Sequence, residues 1–269
     1  MTRVSSTFEK KPILIAYLCV GDPTVEASLE IARALLDAGA DMLELGAPFS
    51  DPTADGPVIA RASQRAIEHG SSMNAAIEVG ARLRKTSNAP LVLFGYVNPI
   101  IVRGERETVK RVSDAGIDAM LVVDLPPEEG SDLRDEARAR SVDVIPLLTP
   151  TSSASRIAAA KRVASGFVYY VSVAGVTGAT SVDPFDDAAR AATALRTAME
   201  LPVVIGFGID SADKARRAAA GADGVVVGTA IVRAIEEANG DVGRACANAA
   251  AVVRAIRAGL VSGLTPAAS

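Results

Sequence analysis

Gly39-Ala40-Asp41-Met42-Leu43-Glu44-Leu45-Gly46 reads as a helix end, a strand and a break. The first glycine closes a helix C-terminus, the aspartate opens a strand, and the second glycine ends it. The opening phrase returns as Gly116-Ile117-Asp118 and Gly221-Ala222-Asp223, each time before another apolar run. Eight such runs cover residues 12–20, 42–45, 91–94, 119–123, 144–148, 167–173, 203–205 and 225–227. They are short and continuously apolar, as strands covered on both faces are. Helical segments alternate with them: about 24–39 behind a Thr24 cap, 58–84 with a break near Gly70, 105–115 and 133–140. After the Thr149 to Ser152 loop come 154–163, 184–200, 211–220, a helix opening at Ala230, and 241–260. Strict alternation implies a parallel sheet with helical crossovers. The repeated Gly-x-Asp phrase favours an α/β fold of the (β/α)8 TIM barrel kind over a doubly wound open sheet. No composition shift marks a linker, so residues 1–269 are expected to form one domain, with a frayed tail from about residue 262.

Composition narrows the class. Of 269 residues, 49% are hydrophobic, enough for a large core, and the net charge of -4 is mild and scattered, which argues against nucleic acid as a ligand. Cys19 and Cys246 lie far apart without metal-ligand spacing, so neither a disulfide framework nor a metal site is expected, and a reducing compartment fits. Residues 1–11 are polar and lack the apolar core of a secretion signal, and no apolar run reads as a membrane span. These features together read as a cytoplasmic protein.

Within the quoted stretch, Glu44 is the exception. Period-two geometry puts it on one strand face with Met42, while Leu43 and Leu45 take the other. On a strand covered on both sides, that carboxyl faces a core, where burial raises its pKa toward the range useful for proton transfer. The alternative is a Glu ion-paired to a neighbouring Lys or Arg. The loop that follows adds Asp51 and Asp55 among Pro48, Pro52 and Pro57, which fix φ and remove donors. In a barrel of this kind the chemistry lies where strands end. Tyr17, Cys19, Tyr96, Asn98, Asp124, Thr149, Tyr169 and Ser172 fall at those ends, although a strand-end Tyr can equally cap a core with its hydroxyl in water. Gly206-Phe207-Gly208 and Gly228-Thr229 follow the seventh and eighth runs, where backbone N–H groups and a helix N-terminus cradle phosphate, and Gly178 adds a third donor. The single His69 sits on a helix, and no Lys stands at a strand end, which leaves neither a His-based metal site or triad nor a Schiff base. Carboxylates and tyrosines acting on a phosphorylated substrate remain.

The phrase Glu44-Leu-Gly-Ala-Pro-Phe-Ser-Asp-Pro-Thr-Ala-Asp-Gly-Pro57 closely resembles the signature of the tryptophan synthase α-subunit family. Gly21-Asp22-Pro23, the segment from Tyr96 to Pro99, the Gly-Val-Thr-Gly of 175–178 and Gly206-Phe207-Gly208 match in order, over nearly the whole chain. The resemblance implies a (β/α)8 barrel that cleaves indole-3-glycerol phosphate to indole and D-glyceraldehyde 3-phosphate without metal or organic cofactor. Position by position it implies Glu44 as general acid/base, Asp55 as the carboxylate on the indole N–H, and Tyr169 as a substrate-orienting residue near Glu44. Tyr17 and Tyr96 would flank the indole, Gly178, Gly208, Gly228 and Thr229 would hold the phosphate, and Thr177 would link two closing loops. Thr229 replaces a usual Ser, and Val173 stands where several members have Arg. The resemblance further implies an α2β2 complex in which the loops carrying Pro48 and Asp51 face a β subunit that receives indole for L-tryptophan synthesis. Three other readings stay open: a free-standing lyase that releases indole without a partner, a phosphate-binding regulatory subunit that chiefly activates the β partner the resemblance implies, and a different barrel such as a phosphosugar isomerase.

Overall fold

The computed structural model describes residues 2–171, 184–206 and 208–262. Nine parallel strand segments form the sheet: β1 (Ile13–Cys19), β2 (Met42–Gly46), β3 (Leu91–Gly95), β4 (Ala119–Val122), β5 (Asp143–Val144), β6 (Leu147–Leu148), β7 (Val168–Val171), β8 (Val203–Gly206) and β9 (Gly224–Val227). Their order is β5-β4-β3-β2-β1-β9-β8-β7-β6. The two outermost segments are halves of one run, separated only by Ile145-Pro146, so the sheet curls round until its ends meet. Ile145 N–H still donates to Met120 O of β4 at 2.9 Å, and Pro146 O accepts from Tyr169 N–H of β7 at 3.0 Å. The single fifth strand expected over 144–148 is therefore split, and proline explains it, having no N–H for the ladder.

Alternation along the strands sorts the core into two layers. Ile13, Ile15, Met42, Val92, Ala119, Leu121, Ile145, Phe167, Val204 and Val226 fill the barrel interior. Leu14, Leu18, Leu43, Leu45, Leu91, Leu93, Met120, Val203 and Val225 face outward into the helical ring. The foot of the barrel is plugged by the segment before β1, a helix Arg3–Thr7 and a 3-10 turn Phe8–Lys10, with Val4 and Phe8 buried and Phe8 against Phe167 at 5.6 Å. That plug was not legible in its polar sequence.

The Gly-x-Asp repeat has one job in all three copies. Asp41 accepts from Leu14 N–H at 2.7 Å, Asp118 from Leu91 N–H at 2.9 Å and Asp223 from Val203 N–H at 3.0 Å, so each carboxylate pins the start of the preceding strand. Each is also ion-paired: Asp41 with Arg257, Asp118 with Arg84 and Arg3, Asp223 with Lys11 and Arg196.

Most helices lie where periodicity puts them. Val25–Asp37 is capped by Thr24, whose hydroxyl accepts from Ala27 N–H at 3.1 Å, and the expected break near Gly70 separates Pro57–Glu68 from Met73–Arg84. A short helix, Val97–Arg103, lies where only a loop was expected. The last described helix, Val242–Ser262, has 21 residues and is long and apolar enough by composition to cross a membrane, although Arg244, Arg254 and Arg257 interrupt it. Its alanine-rich composition serves close packing instead, burying Ala245, Ala249, Val253, Ile256 and Leu260 against Val25–Asp37, Ala212–Ala219 and Thr229–Glu236. The tail expected to fray, 263–269, lies outside the described residues.

Candidate active site

The interior series of each strand changes character at the C-terminal end. Above Ile15 comes Tyr17, above Met42 comes Glu44, above Val92 comes Phe94, and above Phe167 comes Tyr169. A cavity of about 230 Å³ opens over them. Its wall is mainly apolar (Phe94, Ile59, Val123, Leu147, Ile209, Val226), with Glu44, Asp55 and the two tyrosines as the polar groups that give it chemistry.

Glu44 is 1% exposed, and neither carboxyl oxygen has a hydrogen-bond partner among the described residues. The salt-bridge alternative is therefore not realised there. Burial alone, with no cation to offset it, pushes this carboxyl up to about 8. Tyr17 pairs in register with Glu44 on the next strand and packs edge-on to Phe94 at 5.2 Å. Two glycines make room for the rings. A Cβ on Gly46 would stand 2.4 Å from the Tyr17 hydroxyl oxygen, and one on Gly206 would stand 2.2 Å from that of Tyr169. Gly206, read in sequence as part of a phosphate cradle, thus serves Tyr169. Burial raises both phenols well above their ordinary value and keeps them protonated.

Asp55 reaches the same cavity from the loop after β2. Its Oδ2 accepts from the Tyr96 hydroxyl at 3.1 Å, and that hydroxyl accepts from Ala54 N–H at 3.2 Å. Burial raises the Asp55 carboxyl to about 6, against the opposing pull of the Tyr96 hydrogen bond. The structure does not bring Tyr96 to the cavity wall as an indole-flanking ring. It is buried, stacked on Phe49 at 5.0 Å, and anchors the Asp55 loop. Asp124, also singled out by its strand-end position, holds the N-terminus of Val97–Arg103 by accepting from Val97 N–H at 2.7 Å.

Gly208, Gly228 and Thr229 line the cavity together. Gly228 is the N-cap of Thr229–Glu236 and no side chain among the described residues caps that helix, which leaves its first N–H groups to meet an anion. Thr177, Gly178, Val173 and Ser172 lie outside the described residues, as does Phe207. Of the two expected partner-facing residues, Asp51 is exposed and Pro48 is buried within this chain. Sequence reasoning missed Phe94, although the interior period through Val92 points to it, and missed the apolar contributions of Ile59 and Ile209, which come from helix and loop without strand periodicity.

Two carboxyls held at different pKa values in one cavity with a helix N-terminus suit proton transfer on a phosphorylated substrate. The comparisons with known proteins agree. The family model described as tryptophan synthase alpha chain matches residues 5–260. The tryptophan synthase alpha chain of Citrifermentans bemidjiense is 46% identical over 245 residues, spanning 89% of this chain and 91% of that protein. Tryptophan synthase subunit alpha from Legionella pneumophila superposes with a TM-score of 0.89 at 33% identity, covering 97% of this chain and 99% of that one. A structure described as the tryptophan synthase a2b2 complex from Pyrococcus furiosus gives a TM-score of 0.82 at 32% identity, covering 93% and 99%. The chain belongs to the tryptophan synthase alpha chain family.

Proposed function

We propose that this chain cleaves indole-3-glycerol phosphate to indole and D-glyceraldehyde 3-phosphate by a retro-aldol reaction, with Glu44 moving the protons. The observation that carries the reading is the buried, unpaired Glu44 carboxyl, held up to about 8 in the cavity that Asp55 and the helix N-terminus at Gly228 share. At neutral pH Glu44 is mostly protonated and Asp55, at about 6, mostly ionised. Protonated Glu44 gives its proton to indole C3, and positive charge that develops on the ring nitrogen is met by the Asp55 carboxylate through the N–H. The Glu44 carboxylate so formed takes the proton of the hydroxyl on the carbon bound to C3. That O–H pair becomes the aldehyde, the C3–carbon bond breaks, and its electrons restore the aromatic ring. No proton is gained or lost overall, and Glu44 ends as it began. Protonated Tyr169 orients the substrate, Tyr17 and Phe94 flank the indole, and Gly208, Gly228 and Thr229 hold the phosphate with Thr177 and Gly178.

A β subunit in an α2β2 assembly is the partner that fits. Asp51 is exposed on the loop leading to Asp55, and Ile101 and Val102, 60% and 82% exposed on the helix after Tyr96, offer apolar surface suited to a protein partner. Indole release from indole-3-glycerol phosphate, measured with and without added β subunit, tests the reading. Turnover that rises with the partner is expected. No indole under either condition overturns the lyase assignment, and activity indifferent to the β subunit overturns the partnership.

A further inference from the structure

The split fifth strand leaves a gap in the barrel wall. β4 pairs with β5 only at Ala119 and Met120, and β7 pairs with β6 at Tyr169 and Tyr170, so the upper part of β4 has no strand partner on that side. Behind the gap, between the wall and the helices Ser131–Ala139 and Ala154–Val163, lies a second cavity of about 290 Å³. Val123, Leu147 and Thr149 line both this cavity and the catalytic one, forming a common partition.

The second cavity is basic in an unusual way. Arg134, on its wall, is 8% exposed, the one buried cation among the described residues. Its Nε and Nη2 donate to the carbonyls of Glu129 and Pro126 at 3.1 and 3.2 Å, and among the described residues Nη1 makes no hydrogen bond and no carboxylate ion-pairs with it, the exposed Glu128 acting on it only through its charge. Arg84 makes the contrast: it also sits mostly buried, but it is ion-paired to Asp118 at 2.6 Å. Burying a guanidinium without a directly paired counter-charge is costly, and burial lowers the affinity of Arg134 for its proton, the charge of Glu128 opposing this only in part. Arg156, from the facing helix, lines the same cavity and makes no ion pair among the described residues. Thr151 and Ser152 add hydroxyls. The acid on this wall, Asp124, is already engaged by Val97 N–H.

We propose that this cleft is a second anion-binding site, for the phosphate of a small molecule, separate from the Gly228 cradle and touching the catalytic cavity through Thr149. Two guanidiniums and neighbouring hydroxyls match a phosphate dianion, which supplies the directly paired anion that Arg134 lacks among the described residues. The proposal does not depend on the lyase reading.

The test is amide NMR of the full chain titrated with inorganic phosphate and, separately, glycerol 3-phosphate. Two independent saturable sets of shifts are expected, one at Thr151, Ser152 and Arg156, the other at Gly208, Gly228 and Thr229. Arg156→Gln, an exposed position, should weaken the first set about tenfold and leave the second unchanged. Arg134→Lys, which keeps the charge but not the fork, should weaken it too. Saturation by glycerol 3-phosphate but not by inorganic phosphate identifies a phosphate monoester as the ligand. Absence of saturable shifts at Thr151 and Ser152 with both probes, or shifts insensitive to Arg156→Gln, overturns the site. Loss of the Gly228 set alone would instead count against the cradle.

Discussion

Replacing Glu44 by Gln should make the protein more stable in a pH-dependent way, because the wild-type carboxyl is costly to ionise in place. In the unfolded chain this group titrates near its ordinary 4.5, in the folded chain near 8, so between those values the folded state holds a proton that the unfolded state has lost. Stability then falls as pH rises, by about 1.4 kcal/mol per pH unit. Over the whole window the loss is roughly 3–5 kcal/mol, a large part of an ordinary domain's stability. Gln has nearly the same size, is equally short of partners and does not titrate. Other ionisable groups are common to both proteins and cancel in the difference. Urea unfolding of both proteins at half-unit steps from pH 4 to 9 is the assay. The stability of Glu44→Gln relative to wild type should be constant below about 4.5, climb steadily, and level off above about 8. Parallel curves across that range would refute the claim that Glu44 is buried without a counter-charge.

The remaining predictions concern activity and packing. The pH profile of kcat/KM should be a bell with its acid limb near 6, where Asp55 must ionise, and its alkaline limb near 8, where Glu44 must keep its proton; a flat profile from pH 5 to 9 contradicts the assigned roles. Tyr96→Phe removes the hydrogen bond that holds Asp55 down, so the acid limb should move to higher pH and kcat/KM at pH 7 should fall by up to about tenfold; an unmoved limb would show that Tyr96 does not anchor Asp55. Gly206→Ala puts a Cβ into the Tyr169 hydroxyl and should cost about 1–3 kcal/mol together with turnover, whereas Gly56→Ala, with nothing within 4 Å of its Cβ, should leave the Tm nearly unchanged. Equal Tm values for the two would rule out the close packing of Tyr169 over Gly206.

Strands and most helices were legible because alternation and 3.6-residue periodicity are local properties. The Gly-x-Asp echo was legible as a repeat, but its purpose was not: each Asp binds the N–H of a strand some 20 to 27 residues earlier in the chain, a contact that only closure of the sheet creates. The same limit hid the split at Ile145-Pro146, where an apolar run looks continuous until the ladder demands an N–H that proline lacks. The plug at the foot was illegible because only Val4 and Phe8 carry its packing, while its remaining contacts are polar. In the site, Glu44 could be placed from strand parity alone, and whether it was ion-paired could not, because that depends on which residues of other strands surround it. Tyr96 shows the converse: its strand-end position was right, but the partner that decides its role, Asp55, lies 41 positions away.

The central claim, that one buried carboxyl moves the protons of the cleavage, is tested most directly by single-turnover indole release from indole-3-glycerol phosphate by wild type and Glu44→Gln, with substrate affinity measured alongside. Loss of about a hundredfold or more in rate with affinity changed less than a few-fold is the predicted result. Indole released by Glu44→Gln at the wild-type rate would contradict it.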